Sequence, residues 1–418
     1  MGLLVAVIIL ALAFLGAPVF SLMGAGALYL FGSAGIDSSA VIVEMLRLAS
    51  LPALIAIPLF TFAGYVLAES RSPKRMLRLG AALFGFLPGG LAIAALCATA
   101  VFTAFTGASG VTIIALGGLL YPMLTRQGYP EKFTLGLITT TGSLGLLFPP
   151  SLPIILYGLI AKISIDSLFK AGLLPGLFLL AVLSVYALLT AKKAGIPKQP
   201  FSWLELKDAA RENAWEIPLP FLIIGGIYQG LFTAGEAASI MAFYVLVTEV
   251  FIHRELSLYG DIPGIAVKSM MLVGAIFVVL GTALGFTNYL VDAQIPDRIF
   301  AWLHTFVAGK LMFLILLNAF LLVINMIEIF SAIIIVVPII VPVALNYGID
   351  PVHLGIIFLL NLEIGYMTPP LGLNLFLASS RFDKKLPELY AATMNFWFIL
   401  LGVLALVTYF PALFLIKP

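Results

Sequence analysis

The chain has 418 residues, of which 62% are hydrophobic and 10% charged, with a formal net charge of +2. A soluble domain carries roughly 25% charged residues, so this chain has too few to cover itself in water. The balance gives no footprint for nucleic acid, and the single cysteine, Cys97, excludes an internal disulfide.

Apolar runs of membrane-crossing length recur from end to end: 3–31, 51–69, 76–121, 133–160, 171–191, 214–232, 235–253, 267–287, 309–342, 353–379 and 391–414. The first, within MGLLVAVIILALAFLGAPVFSLMGAGALYLF, lacks a basic n-region and is too long for a signal peptide, so it reads as a retained first helix. DSSAVIVEMLRLAS (37–50) and FSWLELKDAARENAWE (201–216) mix charges with apolar residues at helical spacing and read as interfacial helices. Basic residues concentrate in ESRSPKRMLR (69–78), AKKAGIPK (191–198) and SRFDKK (380–385), which the positive-inside rule places in the cytoplasm. Threading the chain through that constraint works if about 88–121 and 309–342 each enter and leave on one side. The charges therefore predict two re-entrant hairpins.

The sequence also repeats at an offset of 220 residues. Pro122 meets Pro342, Gly128 meets Gly348, Gly145 meets Gly365, and Pro149-Pro150 meets Pro369-Pro370. Each half reads as a hairpin, a polar turn and a helix broken by a proline pair, over 133–160 and 353–379. An odd number of crossings separates the copies, so the second is inverted. The predicted fold is an all-α polytopic membrane protein of inverted repeats, an architecture of secondary transporters.

Proline lacks an N–H and clashes with the carbonyl four residues back. Broken backbone at membrane depth survives only where protein buries it or a polar cavity meets it. Freed carbonyls and nearby hydroxyls suit a hard cation, and half-helix N-termini suit carboxylates. The first break carries Gly142, Ser143, Gly145 and Ser151; the second carries Gly365, Thr368, Gly372 and Asn374. The hairpin tips VFTAFTGASGVT (101–112) and VINMIEIFSAI (323–333) add polar groups, and the second places Glu328, an ionisable residue, at membrane depth. Glu363 stands beside the second break, whereas Glu236 reads as a helix-start residue. His253, His304 and His353 are scattered without metal-ligand spacing, and no catalytic motif or nucleotide-binding GxxxxGK[ST] loop occurs.

FTGASGVTIIALGGLLYPMLTRQGYP (105–130), GSLGLLFPPSLPIILYG (142–158), GGIYQGLFTAGEAAS (225–239) and VPIIVPVALNYGIDPVHLGIIFLLNLEIGYMTPPLGLNLF (337–376) carry a resemblance. Over essentially its whole length the chain resembles the large membrane subunit, DctM type, of tripartite ATP-independent periplasmic (TRAP) transporters. The resemblance implies an elevator mechanism, Na⁺ coupling and no use of ATP. It implies a small four-helix membrane subunit as a separate chain, a periplasmic substrate-binding protein, and a bacterial or archaeal inner membrane. Implied substrates are organic acids such as C4-dicarboxylates, sialic acids or other sugar acids. The implied domains are scaffold helices with an interfacial arm over 1–75 and transport-domain halves over 76–191 and 288–418. A linker helix and further scaffold helices fill 192–287.

The family's sodium sites pair a hairpin tip with the adjacent break. Carried onto this chain, the first would use oxygens around Thr106, Gly107, Ser109, Gly145, Phe148 and Ser151. The second would use Asn325, Gly365, Thr368 and Leu371, the last through its carbonyl, and substrate would lie near Ser109 and Asn374. The second tip departs from the family pattern: Asn325 stands where Gly is common and Glu328 where Asp is common. Phe148 also stands where the second copy has Thr368, so the two sites are expected to differ. A stand-alone divalent-anion/Na⁺ symporter and an ion channel remain the alternative functions.

Overall fold

The computed structural model of the chain describes Ile8, residues 11–12, 17–37, 39–49, 51–107, 109–307, 309–324 and 329–417. These residues are overwhelmingly helical, with no strand among them. Most residues of the first apolar run that precede residue 17, and both Asn325 and Glu328, lie outside the described residues.

In chain order the helices are α1 (Val19–Ser33), α2 (Ser39–Ala49), α3 (Ala56–Glu69), α4 (Ser72–Phe84), α5 (Gly90–Thr106), α6 (Ser109–Arg126), α7 (Glu131–Thr141), α8 (Leu152–Ala161) and α9 (Ile165–Lys193). There follow α10 (Trp203–Glu212), α11 (Pro218–Tyr228), α12 (Ala234–Val247), α13 (Ile262–Asp292), α14 (Ile295–His304), α15 (Lys310–Ile324), α16 (Ile329–Asn346), α17 (Pro351–Gly365), α18 (Leu373–Phe382) and α19 (Leu386–Tyr409). Five are long and apolar enough to cross a bilayer: α9, α12 with its continuation to Ile252, α13, α16 and α19. The bent pair α7–α8 makes a sixth. Large apolar side chains point outward from several helices, with Phe221 74% and Phe243 71% exposed. Such an outer surface suits lipid rather than water, and the protein is a multi-pass membrane protein.

Local rules explain many boundaries. α12 begins with a capping box, in which the Thr233 hydroxyl accepts from the Glu236 N–H while Glu236 accepts from the Thr233 N–H. Glu236 is thus the helix-start residue its sequence context predicts. Asp350 caps α17 by accepting from the N–H groups of Val352 and His353. The 220-residue repeat is written into the turns as well. Gly128 and Gly348 both take left-handed backbone (φ 87° and 72°). The N–H groups of Tyr129 and Ile349 then bond back to the carbonyls of Leu124 and Ala344, again 220 apart. α7 and α17 likewise begin 220 residues apart.

Two elements differ from the sequence reading. The basic stretch 69–78 is mostly helix: α4 starts at Ser72 with Pro73 in its first turn, a position proline favours. α14 occupies a segment between two apolar runs that sequence reading leaves without a helix. α4 begins four residues before the apolar run 76–121 and is mostly inside it, whereas α14 is amphipathic and an apolar-run criterion misses it.

The core that positions the breaks is tightly drawn. A Cβ on Gly145 would lie 2.3 Å from the Ala104 nitrogen, so the first break approaches the α5 backbone in a way only glycine permits. On the other side of the same tip, a Cβ on Gly64 of α3 would lie 2.4 Å from the Phe105 carbonyl oxygen. α17 packs on α8, α9 and the turn Leu144–Leu147, which joins the two repeats at their breaks. Tyr157 of α8 is fully buried and donates to the Pro351 carbonyl at 3.0 Å, a further contact between repeats.

Candidate ion and substrate site at the helix breaks

α7 ends at Thr141, passes through a short 3₁₀ turn over Leu144–Leu147, and resumes as α8 at Leu152, bent by 44° across the break. Pro149 and Pro150 lie in that gap, and Pro369 and Pro370 lie in the gap between α17 and α18. Both proline pairs are joined by cis peptide bonds. The interruptions therefore fall where proline chemistry predicts.

Around the first break the hydroxyls are short of partners. Thr106 and Ser151 are fully buried, and neither side-chain oxygen has a hydrogen-bond partner. Thr106 ends α5 at the tip, and Ser151 is the N-cap of α8 yet makes no side-chain cap bond. The two elements touch: a Cβ on Gly107 would lie 2.4 Å from Cγ of Leu152, the residue after Ser151. Leaving a buried hydroxyl unpaired costs about 1–3 kcal/mol, and these two, on contacting elements, are available as ligand oxygens. Gly145 lies in the same turn, and its carbonyl accepts from the Phe148 N–H at 3.1 Å. A carbonyl has two lone pairs, so that bond leaves room for a cation.

The second break is arranged differently. Gly365 is buried, but Thr368 is half-buried and Leu371 is 57% exposed. The Thr368 hydroxyl donates to the Ile364 carbonyl at 2.8 Å and accepts from the Trp397 indole N–H at 2.9 Å. Its oxygen keeps one lone pair. The Gly365 carbonyl accepts from the Thr368 N–H. The first break is thus closed and under-bonded, and the second is open and bonded. The two breaks thus differ in burial and pairing, beyond the exchange of Phe148 for Thr368.

Ser109 and Asn374 border one polar patch. Asn374 is fully buried on α18; its amide donates to the Thr139 carbonyl at 3.0 Å and reaches the Ser143 hydroxyl at 3.5 Å, while its Oδ1 has no partner. Ser109 is buried at the start of α6, and a Cβ on Gly142 would lie 3.3 Å from its carbonyl oxygen. Thr103 joins Thr112 at 2.8 Å and donates to the Gly142 carbonyl at 3.2 Å. The end of α7 therefore gathers polar groups from α5, α6 and α18. Sequence reading does not name Thr103, Thr112 or Thr139, because nothing in a lone buried threonine marks it as part of a cluster.

Residues 5–413 match the family model of the tripartite ATP-independent periplasmic transporter, DctM component. The chain belongs to that family. It is 35% identical over 399 residues to the C4-dicarboxylate TRAP transporter large permease protein DctM of Pseudomonas aeruginosa, covering 95% of this chain and 93% of that one. The ectoine/5-hydroxyectoine TRAP transporter large permease protein UehC of Ruegeria pomeroyi is 34% identical, covering 96% of this chain and 95% of that one. The solved structure of the Alcanivorax borkumensis YdaH transporter superposes with a TM-score of 0.66 at 14% identity, over 90% of this chain and 88% of that one, a likeness of fold.

As a TRAP large permease, the chain is a transport protein and not an enzyme. A cleft of about 670 Å³ lies away from the breaks, between α13 on one wall and α8 and α16 on the other, with Asn288, Lys162 and Val341 among its lining. Two carboxylate-bearing features remain outside the break sites. Glu363 is fully buried with neither carboxyl oxygen paired. Glu216, Glu249 and His253 converge elsewhere. The sequence singled out Glu363 and named His253 only as a histidine without metal-ligand spacing; the convergence with Glu216 and Glu249 is tertiary.

Proposed function

We propose that this TRAP large permease is a Na⁺-coupled, binding-protein-dependent importer of organic acids, working by an elevator movement in the inner membrane. One observation carries the ion reading: the unpaired, fully buried hydroxyls of Thr106 and Ser151 sit on elements that touch at the first tip. The first Na⁺ would be held by those hydroxyls with carbonyl oxygens of Gly107, Gly145 and Phe148 and the nearby Ser109. The second would use Thr368, Gly365 and the carbonyl of Leu371, with Asn325 from the second tip. A small, hard cation takes oxygen ligands of this kind. Binding would tie each tip to its break, so that α5–α8 and α15–α18 move as one body.

Substrate would lie near Ser109 and Asn374, where the free Oδ1 of Asn374 and the end of α7 offer polar contacts. Relatives at 35% and 34% identity carry names for C4-dicarboxylate and for ectoine/5-hydroxyectoine, so overall similarity does not choose the substrate. The re-entrant reading of α5–α6 is supported by the length of α5, whose 17 residues make about 25 Å of helix against a hydrocarbon core of about 30 Å; α16, by contrast, is long enough to cross.

The test is reconstitution of the chain with both partners in liposomes. Uptake should require an inward Na⁺ gradient and the binding protein. Uptake that survives collapse of the Na⁺ gradient would remove the coupling reading. Uptake that survives omission of the binding protein would favour a stand-alone anion/Na⁺ symporter.

A further inference from the structure

The most concentrated charge in the described residues lies far from the helix breaks in sequence, at the ends of α4 and α12. Arg75 of α4 is 8% exposed and faces three carboxylates. Its Nε donates to Glu216 Oε1 at 2.5 Å, its Nη2 to Glu249 Oε1 at 2.8 Å, and its Nη1 to Glu255 Oε1 at 2.5 Å. Three carboxylates against one guanidinium leave an uncompensated formal charge in a buried place, where unpaired charge is costly.

The excess is directional. Glu216 and Glu249 each spend Oε1 on Arg75, and each has a buried Oε2 with no partner. Their side chains are 5% and 0% exposed. His253 Nε2 is also buried without a hydrogen bond and lies 3.6 Å from Glu216 Oε1. One ligand atom from each of Glu216, Glu249 and His253 falls within 4.8 Å of the others. Asn213, three residues before Glu216, adds a further buried, unpartnered Oδ1. A π-helical turn over Thr248–Ile252 continues α12 and carries Glu249 into this group, with His253 as its C-cap, four residues on.

We propose that Glu216, Glu249 and His253 form a site for one divalent d-block cation such as Zn²⁺ or Mn²⁺. Two carboxylate oxygens with an imidazole nitrogen are the mixed set those ions take, whereas Mg²⁺ and Na⁺ prefer oxygen alone. The cation would be held by the same two carboxylates that hold the guanidinium, and a charge of two offsets the excess. The ion would clamp the end of α12 and the turn before α11 around the foot of α4.

The test uses the full chain in lipid nanodiscs with any polyhistidine tag removed. After dialysis against micromolar Zn²⁺, metal analysis should find about one ion per chain, and chelation should lower the melting temperature. Glu249→Gln and His253→Ala should each weaken Zn²⁺ binding by at least on the order of tenfold, since even outer-shell losses cost that much. Glu255→Gln, which touches Arg75 outside the ligand set, should keep the metal. If a variant fails to fold, the wild-type titration still decides. No stoichiometric uptake by the wild-type chain overturns the proposal, as does full Zn²⁺ binding by His253→Ala or stabilisation by Mg²⁺ that ignores that substitution.

Discussion

The buried Thr106 hydroxyl has no hydrogen-bond partner, and it is one ligand of the first Na⁺ site proposed above. Thr106→Val keeps the shape and removes an oxygen that costs stability when unpaired. In Na⁺-free buffer the variant should melt no lower than the parent, and its melting temperature should respond less to added Na⁺. The Na⁺ concentration for half-maximal uptake should rise roughly fivefold, the equivalent of about 1 kcal/mol. An unchanged Na⁺ response would remove Thr106 from the site. Thr368→Val is predicted to behave otherwise. It leaves the Trp397 indole N–H without its acceptor, so it should destabilise the fold by about 1 kcal/mol as well as weaken Na⁺ dependence. Thermal melts with and without Na⁺ separate the two cases. Gly145→Ala places a methyl 2.3 Å from a backbone nitrogen and should cost about 1–3 kcal/mol as overpacking, with uptake lost together with folded protein. Gly145 stands out in the sequence because it has a repeat partner. The Thr368–Trp397 bond spans 29 residues and two helices, and no local pattern reveals it.

At the scale of elements, the two proline-broken helices, the interfacial patterns at 37–50 and 201–216, and the caps of α12 and α17 all follow from short-range rules. Replacing Pro149 and Pro150 together by alanine restores two backbone donors and relieves the proline clash. The helix should then close toward continuity and re-pair its carbonyls. Na⁺-dependent uptake should fall to background while the protein remains monodisperse; uptake at the parent's rate would show that the break does not serve the ion. Thr233→Ala removes one half of the capping box and should cost about 1 kcal/mol in stability, read by thermal melts, with no change in Na⁺ affinity. α14 is an element that apolar runs do not predict, and α4 is one whose start they miss. An amphipathic helix buries one face against a neighbour, and its sequence then alternates too evenly to stand out. α4 holds Arg75 against Glu216 and Glu249 through contacts 141 and 174 residues apart.

The proposed elevator movement belongs to the whole molecule, and it would make the cleft between α13 and α16 a moving boundary. Cys97 is the sole cysteine, so a cysteine-free background needs one substitution. Thr287→Cys with Val341→Cys puts thiols on opposite walls of that cleft. A bifunctional thiol reagent spanning the walls should stop Na⁺-driven uptake in proteoliposomes, and a reducible reagent should allow recovery. Full uptake by the cross-linked protein would mean that these walls do not move against each other.

The sequence by itself determined the membrane class, the 220-residue repeat, the places where helices break and the family. Those features depend on composition, on proline and glycine chemistry, and on motifs whose meaning is local. Tertiary structure decided what the breaks present. Burial left Thr106 and Ser151 without partners, while Trp397 and Ile364 took up the hydroxyl of Thr368. It also decided that Glu216, Glu249 and His253 meet, since a 33-residue separation in sequence says nothing of distance until the turn before α11 and the end of α12 pack beside α4. Pairing and burial are set by what surrounds a group on all sides, and only the assembled fold supplies that.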